Sequence, residues 1–121
     1  MANTFKVVTF AAEPASAGTP YVMYTVASST TAVVLGLVLS NINTTAVTAE
    51  VELVSTTSSR GGANNVANGT SFLIKDVSIP TGSSLEILSG GKVVLEEGDK
   101  IQIDCSVADK LSGTLSIMEI T

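Results

Sequence analysis

The second half of the chain alternates short apolar runs with turn signals, and no other feature of the sequence constrains the fold as strongly. The turn signals read IPTGSS, SGGK, EEGDK and ADKLSG within residues 73–121. Consecutive antiparallel strands have this pattern, because each strand is short and ends at Gly, Pro, Asn, Asp or Ser. The segment therefore predicts a scaffold of strands, and nothing in it indicates catalytic chemistry.

The alternation extends through the rest of the chain. Between Val47 and Val54, apolar residues occupy every second position, a period that a helix does not keep. The predicted strands are residues 5–10, 21–27, 33–40, 47–54, 72–79, 84–88, 92–95, 100–107 and 114–120. Eight or nine short strands at this spacing are typical of a sandwich or barrel. We predict an all-β fold, an antiparallel β-sandwich that is jelly-roll-like.

Composition limits the size and chemistry of the core. The 121 residues predict one domain, residues 1–121, of which residues 1–20 could form an N-terminal arm. Apolar residues make up 45% of the chain, but aromatic residues only 4%, and Trp is absent. The core is therefore expected to consist of Val, Ile, Leu and Ala.

The charge balance argues against two classes of partner. The formal net charge is −5, and the six basic residues are scattered along the chain. Nucleic-acid affinity depends on neutralising phosphates with Lys and Arg, so we expect no nucleic-acid partner. An acidic membrane surface is disfavoured for the same reason, and the apolar run 32–39 is too short for a membrane-spanning helix.

Three segments carry more specific expectations. Residues 33–40 are apolar at nearly every position, which predicts a central strand covered on both faces. In residues 72–79 the alternation slips near Lys75 and Asp76, which predicts a β-bulge. The polar stretch from Ser55 to Thr70, STTSSRGGANNVANGT, predicts a long exposed loop, and long loops are often functional or mobile.

The chain has no histidine, which excludes Ser–His–Asp and Cys–His catalysis in their usual forms and most zinc sites. Its one cysteine, Cys105, cannot form a disulfide within the chain. Since Cys105 alternates with Ile103 and Val107, we predict that it is buried and unpaired. The N-terminus lacks the features of a signal peptide, so we expect synthesis and assembly in a cytoplasm.

Two groups of carboxylates are candidate sites. Glu96, Glu97 and Asp99 surround Gly98, and such a cluster could bind calcium, but the spacing of a calcium-binding loop is absent and a solvated hairpin turn is favoured. Within the strand 47–54, Glu50 and Glu52 lie on one face with their side chains about 7 Å apart, a separation of carboxylates found in inverting glycosidases. The scarcity of aromatic residues argues against sugar binding there.

Other short motifs are weak. The RGG tripeptide at Arg60 is a weak indication of RNA binding, because it occurs once in an acidic chain. The tripeptides at Asn43 and Asn68 match N-glycosylation acceptors, but such matches are expected by chance in a chain rich in Ser, Thr and Asn. We therefore predict no catalytic, cofactor-binding or metal-binding residue, no cofactor and no enzymatic activity.

Two segments resemble a known group of proteins. The run FLIKDVSIPTGSSLEILSGGKVVLEEGDKIQIDCSVADKLSGTLSIMEIT (residues 72–121) and the run LGLVLSNINTTAVTAEVEL (residues 35–53) are similar to small β-sandwich virion structural proteins of tailed bacteriophages. The shared pattern is a strand, IP-x-G-S-S-L, a short strand, L-x-E-G-D-x-I, an alternating strand and a last strand ending in E-I-T.

The resemblance implies a non-enzymatic virion protein assembled in the host cytoplasm. The specific expectation is a capsid decoration (cement) protein that stabilises the particle by protein–protein contacts. The alternative is a tail, neck or fibre component, including a host- or glycan-binding module. Expected partners are other copies of the chain and virion proteins, either the major capsid protein or tail and neck proteins. A homo-oligomer is also expected because the mean hydropathy is positive and residues 33–39 are apolar on both faces.

Overall fold

The computed structural model describes residues 2–55, 69–88 and 91–121, and these form nine antiparallel strands in two sheets, with no helix among them. The strands are β1 (Asn3–Glu13), β2 (Tyr21–Thr25), β3 (Thr31–Asn41), β4 (Val47–Val54), β5 (Thr70–Ile79), β6 (Ser84–Ile87), β7 (Val93–Leu95), β8 (Lys100–Cys105) and β9 (Leu111–Ile120). Each strand overlaps one of the nine predicted segments, so the all-β prediction is confirmed.

The strand order is that of a jelly roll. Sheet I has the order β1-β9-β3-β6, and β7 pairs with the part of β3 that β6 leaves free. Sheet II has the order β2-β8-β4-β5. The first and last strands are neighbours, and consecutive strands cross between the two sheets except at β4–β5 and β6–β7, as in a double Greek key. The predicted antiparallel, jelly-roll-like β-sandwich is therefore confirmed.

The core lies between the inner faces of the two sheets and is aliphatic, as the composition predicts. Phe10 is the one aromatic side chain that is fully in the core; Tyr21 and Tyr24 pack at its margin. The largest fully buried side chains are Leu37, Leu39, Ile79, Leu95, Ile101, Ile103, Leu111, Leu115 and Ile117. Burying this apolar surface provides the main driving force for folding.

Strand β3 is central, as predicted, because β9 pairs with one edge and β6 and β7 with the other. The prediction that both its faces are covered is wrong. Val34 and Leu39 are fully buried, but Leu35 and Val38 on the outer face are 37% and 36% exposed. The reason is architectural: no element of the described chain forms a third layer over sheet I.

The predicted bulge in β5 is confirmed. Two consecutive residues of β5, Lys75 and Asp76, lie opposite the single residue Glu50 of β4. Asp76 has a positive φ of 52°, a conformation that Asp tolerates better than most residues. The bulge turns the Lys75 side chain toward Glu50, with an Nζ–Oε1 distance of 3.1 Å.

Two other sequence predictions concern the ends of strands. The loop predicted from Ser55 to Thr70 lies, in residues 56–68, outside the described residues, and the Ser55 amide donates to the Gly69 carbonyl oxygen at 2.8 Å. Within residues 1–20, β1 pairs with β9 from Asn3 to Phe10 and again at Glu13, with an irregularity between them. A single domain with an arm that reaches a neighbouring subunit stays a prediction. The described residues include no helix of the length and apolarity needed to cross a bilayer.

Candidate functional surfaces

The outer face of sheet II is acidic. The inner positions of β4 and β8 are apolar, so the alternation of each strand directs polar side chains outward. The charged residues on this face are Glu50, Glu52, Asp76 and Asp104 with Lys75 and Lys100. Carboxylates therefore outnumber ammonium groups on this side of the molecule.

An open cleft of about 210 Å³ lies on this acidic face, beside the loop between β1 and β2. Glu50, Asp76 and Asp104 line the cleft together with Gly18. Asp104 Oδ1 accepts the Gly18 amide at 3.1 Å, and Glu50 is paired with Lys75. Protein donors thus occupy two of the three carboxylates, and they hold the cleft together.

The predicted glutamate pair on β4 lies on one outer face, as expected from the alternation. Glu50 bridges to β5 through Lys75, and Glu52 accepts a hydrogen bond from Gln102 Nε2 of β8 at 2.6 Å. The two carboxylates therefore connect β4 to its two neighbours in the sheet.

The acidic residues of the β7–β8 turn stabilise that turn. Gly98 has φ 85°, a conformation that glycine adopts at little cost. Buried Asp99 accepts the Glu96 amide on Oδ2 at 3.0 Å, and Glu97 Oε2 accepts the Ser29 amide at 3.3 Å. In residues 2–55, 69–88 and 91–121, no three or more His, Cys, Asp or Glu side chains form a group that could hold a metal ion.

The prediction for Cys105 is confirmed: the thiol is buried and unpaired. Burial raises the pKa of the Cys105 thiol above its ordinary value. The group therefore stays protonated at neutral pH and behaves as a small apolar side chain.

A cluster that the sequence analysis missed closes one end of the sandwich. Lys6 Nζ lies 2.7 Å from Glu119 Oε1, and the Tyr24 hydroxyl of the opposite sheet donates to Glu119 Oε2 at 2.5 Å. Hydrogen bonds from Lys6 and Tyr24 lower the pKa of Glu119, and burial together with Glu119 raises the pKa of Tyr24. Charged residues at inward positions of β1 and β9 are the sequence signal that could have revealed the cluster.

The connection after β3 holds a second missed group. Asn41 is buried; its Nδ2 donates to the carbonyl oxygens of Ile79 and Thr45, and its Oδ1 accepts the Asn43 amide at 2.7 Å. Asn43, singled out as a glycosylation tripeptide, lies in this turn and donates to Thr45 Oγ1. The tripeptides at Arg60 and Asn68 begin outside the described residues.

The outer face of sheet I is apolar. Phe5 pairs with Met118, Met118 pairs with Val33, and Val33 pairs with Val94, so one row of four apolar side chains crosses β1, β9, β3 and β7. We call these four residues the apolar row. Its ends are open to solvent, since Phe5 is 72% and Val94 61% exposed.

Each sheet also ends in a long strand. β1 is the last strand of sheet I and β5 the last strand of sheet II, and within the described residues no strand pairs with the outer edge of either. β1 lies beside β2 and β5 beside β6, so the two edges are on opposite sides of the sandwich. On β5, Lys75 Nζ lies over the exposed Phe72 ring, 4.5 Å from the ring centroid.

Comparison with known proteins gives a likeness of fold. No family model and no curated protein matches the chain. A solved structure of Bacillus endospore appendages, described as a family of disulfide-linked pili, is similar over 99% of this chain and 87% of that chain, with 18% sequence identity and a TM-score of 0.47.

This finding corrects the resemblance stated from the sequence. The structure that matches along the full length comes from Bacillus endospore appendages, described as pili, and not from a phage. The predicted capsid decoration protein, its tail, neck or fibre alternative, the virion location and the assembly in a host cytoplasm are wrong on this finding. The shared motifs have a physical explanation. IP-x-G-S-S-L joins β5 to β6 and L-x-E-G-D-x-I joins β7 to β8, and their glycines, Gly82 and Gly98, both have positive φ. These motifs encode turns of a jelly roll, which unrelated proteins can share.

Proposed function

We propose that the chain is a non-enzymatic structural subunit that polymerises with copies of itself into a filament, such as a pilus-like appendage. The observation that carries the proposal is the pair of open edges. β1 has 11 residues and β5 has 10, and the outer backbone groups of both are unpaired in the described chain. Such edges are templates for pairing with another chain, and proteins that remain monomeric usually shorten or block them.

The position of the edges favours a filament over a closed dimer. Because β1 and β5 lie on opposite sides of the sandwich, β1 of one copy can pair with β5 of the next. The contact is head to tail, and a head-to-tail contact that does not close into a ring extends indefinitely. Sheet I of each subunit would then continue into sheet II of its neighbour.

The chemistry of the other surfaces supports a non-enzymatic role. The carboxylates of Glu50, Glu52 and Asp104 are all engaged by donors of the protein itself. Cys105, the one thiol, is enclosed in the core. These groups hold strands and turns in place.

Cross-linking across the proposed edge contact tests the function. In a Cys105→Ala background, Ala12→Cys places a thiol on β1 and Ser71→Cys places one on β5, both at exposed positions. A flexible bis-maleimide should convert the double variant into a ladder that continues well beyond the dimer. The two thiols of one subunit lie on opposite sides of the sandwich, so the bis-maleimide cannot link them to each other within one subunit.

The single-cysteine variants are the matched controls. Each alone should remain uncross-linked, and an equal mixture of the two should stop at the dimer. A double variant that gives no species above those of the single variants would refute polymerisation through these edges.

A further inference from the structure

The apolar row is part of a face that has almost no charge. Next to the row, Val7 and Leu35 are exposed, and most of the remaining outward side chains of sheet I are Ser or Thr. Among the described strands of sheet I, Glu86 is the one charged residue whose side chain is directed outward. It lies opposite Val38, and its neighbours on this face are apolar or small. Val38 is five residues along β3 from Val33, so Glu86 lies at the rim of the apolar area.

This face is large enough for a specific interface. Four strands about 4.8 Å apart and about eight residues of about 3.3 Å each, with their side chains, give roughly 20 Å by 26 Å, or about 500 Å² per copy. Covering it with an equal face would bury about 1,000 Å² in total, the lower limit for a stable and specific contact. The apolar row with Val7 and Leu35 forms an exposed apolar patch within this face, and such patches on soluble proteins can mark binding sites.

The charge of a partner surface determines whether that surface can pack against the outer face of sheet I. The opposite face of the molecule carries three carboxylates that are not buried, Glu50, Asp76 and Asp104, and stacking that face on the apolar row would remove them from water at high cost. The same face of a second copy is largely apolar, with its one outward charge, Glu86, at the rim, and presents no such cost. Two copies related by a two-fold axis can bring row against row, with sheets about 10 Å apart as in stacked sheets generally.

We propose that the outer face of sheet I is a symmetric interface, on which a second copy of this chain packs through the same face. The contact uses side chains of the sheet face, whereas the filament contact uses backbone groups of β1 and β5, so neither depends on the other. It also explains why β3 is apolar on both sides: one side faces the core, and the other faces the second copy.

A cysteine at the centre of the face tests the contact. In the Cys105→Ala background, Ser116→Cys places an exposed thiol two residues from Met118 on β9, a strand that is paired on both sides. The bis-maleimide should give a covalent dimer and nothing larger. Val22→Cys is the control, because Val22 is 40% exposed on the outer face of sheet II and should give no dimer.

Lysine substitutions then test the chemistry of the face. Adding Val94→Lys to Ser116→Cys should weaken dimerisation about 100-fold, because the change enters a symmetric interface twice and each lost valine is worth about a factor of ten. Met118→Lys should have a similar effect, and Val22→Lys should have none. Val94 and Val22 are exposed, so both valine variants should fold, and unchanged thermal unfolding of each checks this.

The outcomes separate the two contacts. Absence of a Ser116→Cys dimer, or equal cross-linking with Val94→Lys and Val22→Lys, would overturn the face contact and leave the edge contact standing. A dimer that is sensitive to Val94→Lys, without a ladder from the edge variant, would support the face contact and refute the filament.

Discussion

At the residue scale, Gly113 allows the first strand to pack closely on the sandwich. Phe10 of β1 lies opposite Gly113 of β9, and its ring occupies the space where a Cβ of residue 113 would be. The same ring packs edge to face on Tyr21, with centroids 5.4 Å apart. Phe10 therefore ties the edge strand of sheet I to β9 and to the start of β2.

We predict that Gly113→Ala destabilises the fold by about 1–3 kcal/mol, because the added methyl group forces the Phe10 ring out of its position. Gly36→Ala on neighbouring β3 is the matched control, since a Cβ there meets no atom within 4 Å and φ is not positive. Urea unfolding of both variants measures the difference. Equal unfolding midpoints for the two would show that Phe10 does not require a glycine beneath it.

At the scale of the elements, Lys6, Glu119 and Tyr24 join β1, β9 and β2 at the end of the sandwich that they close. The pKa of Glu119 is lowered in the folded protein, first by the hydrogen bond from Lys6 and then by that from Tyr24. The stabilisation from ionised Glu119 is therefore complete above the unfolded pKa of about 4.5 and is lost as pH falls through the lower folded value.

We expect the free energy of unfolding of Glu119→Gln to lie below that of the wild type by a constant amount from pH 7 to about pH 5.5. The difference should shrink as the pH falls below about 4.5, because the wild type then loses the ionised carboxylate. Urea unfolding from pH 7 to pH 3 measures it, with exposed Glu86→Gln as the control. A difference that stays constant down to pH 3 would contradict the assigned role.

The elements also show what a single sequence can provide. Alternation located all nine strands and the bulge at Lys75 and Asp76, because side chains on a strand change face at every residue. It could not decide what lies against the outer side of β3, since a second molecule and an additional layer of the same chain give the same apolar pattern. Buried Asn41 lies one residue beyond the predicted strand 33–40, and the sequence does not reveal its burial, because a polar residue before a turn looks the same whether its side chain points inward or outward.

At the scale of the whole molecule, the two sides of the sandwich have different chemistry. The outer face of sheet II is acidic and internally paired, and that of sheet I has almost no charge and is crossed by the apolar row. Two long open edges lie between these faces. If both proposals hold, the open edges serve growth along a filament and the outer face of sheet I serves pairing back to back.

Electron microscopy of the purified wild-type protein across the micromolar range tests polymerisation most directly. We predict filaments that grow in number and length with concentration, built from a repeating unit of one chain or of two chains back to back. Particles that never exceed twice the chain mass of 12.3 kDa at any concentration would contradict it.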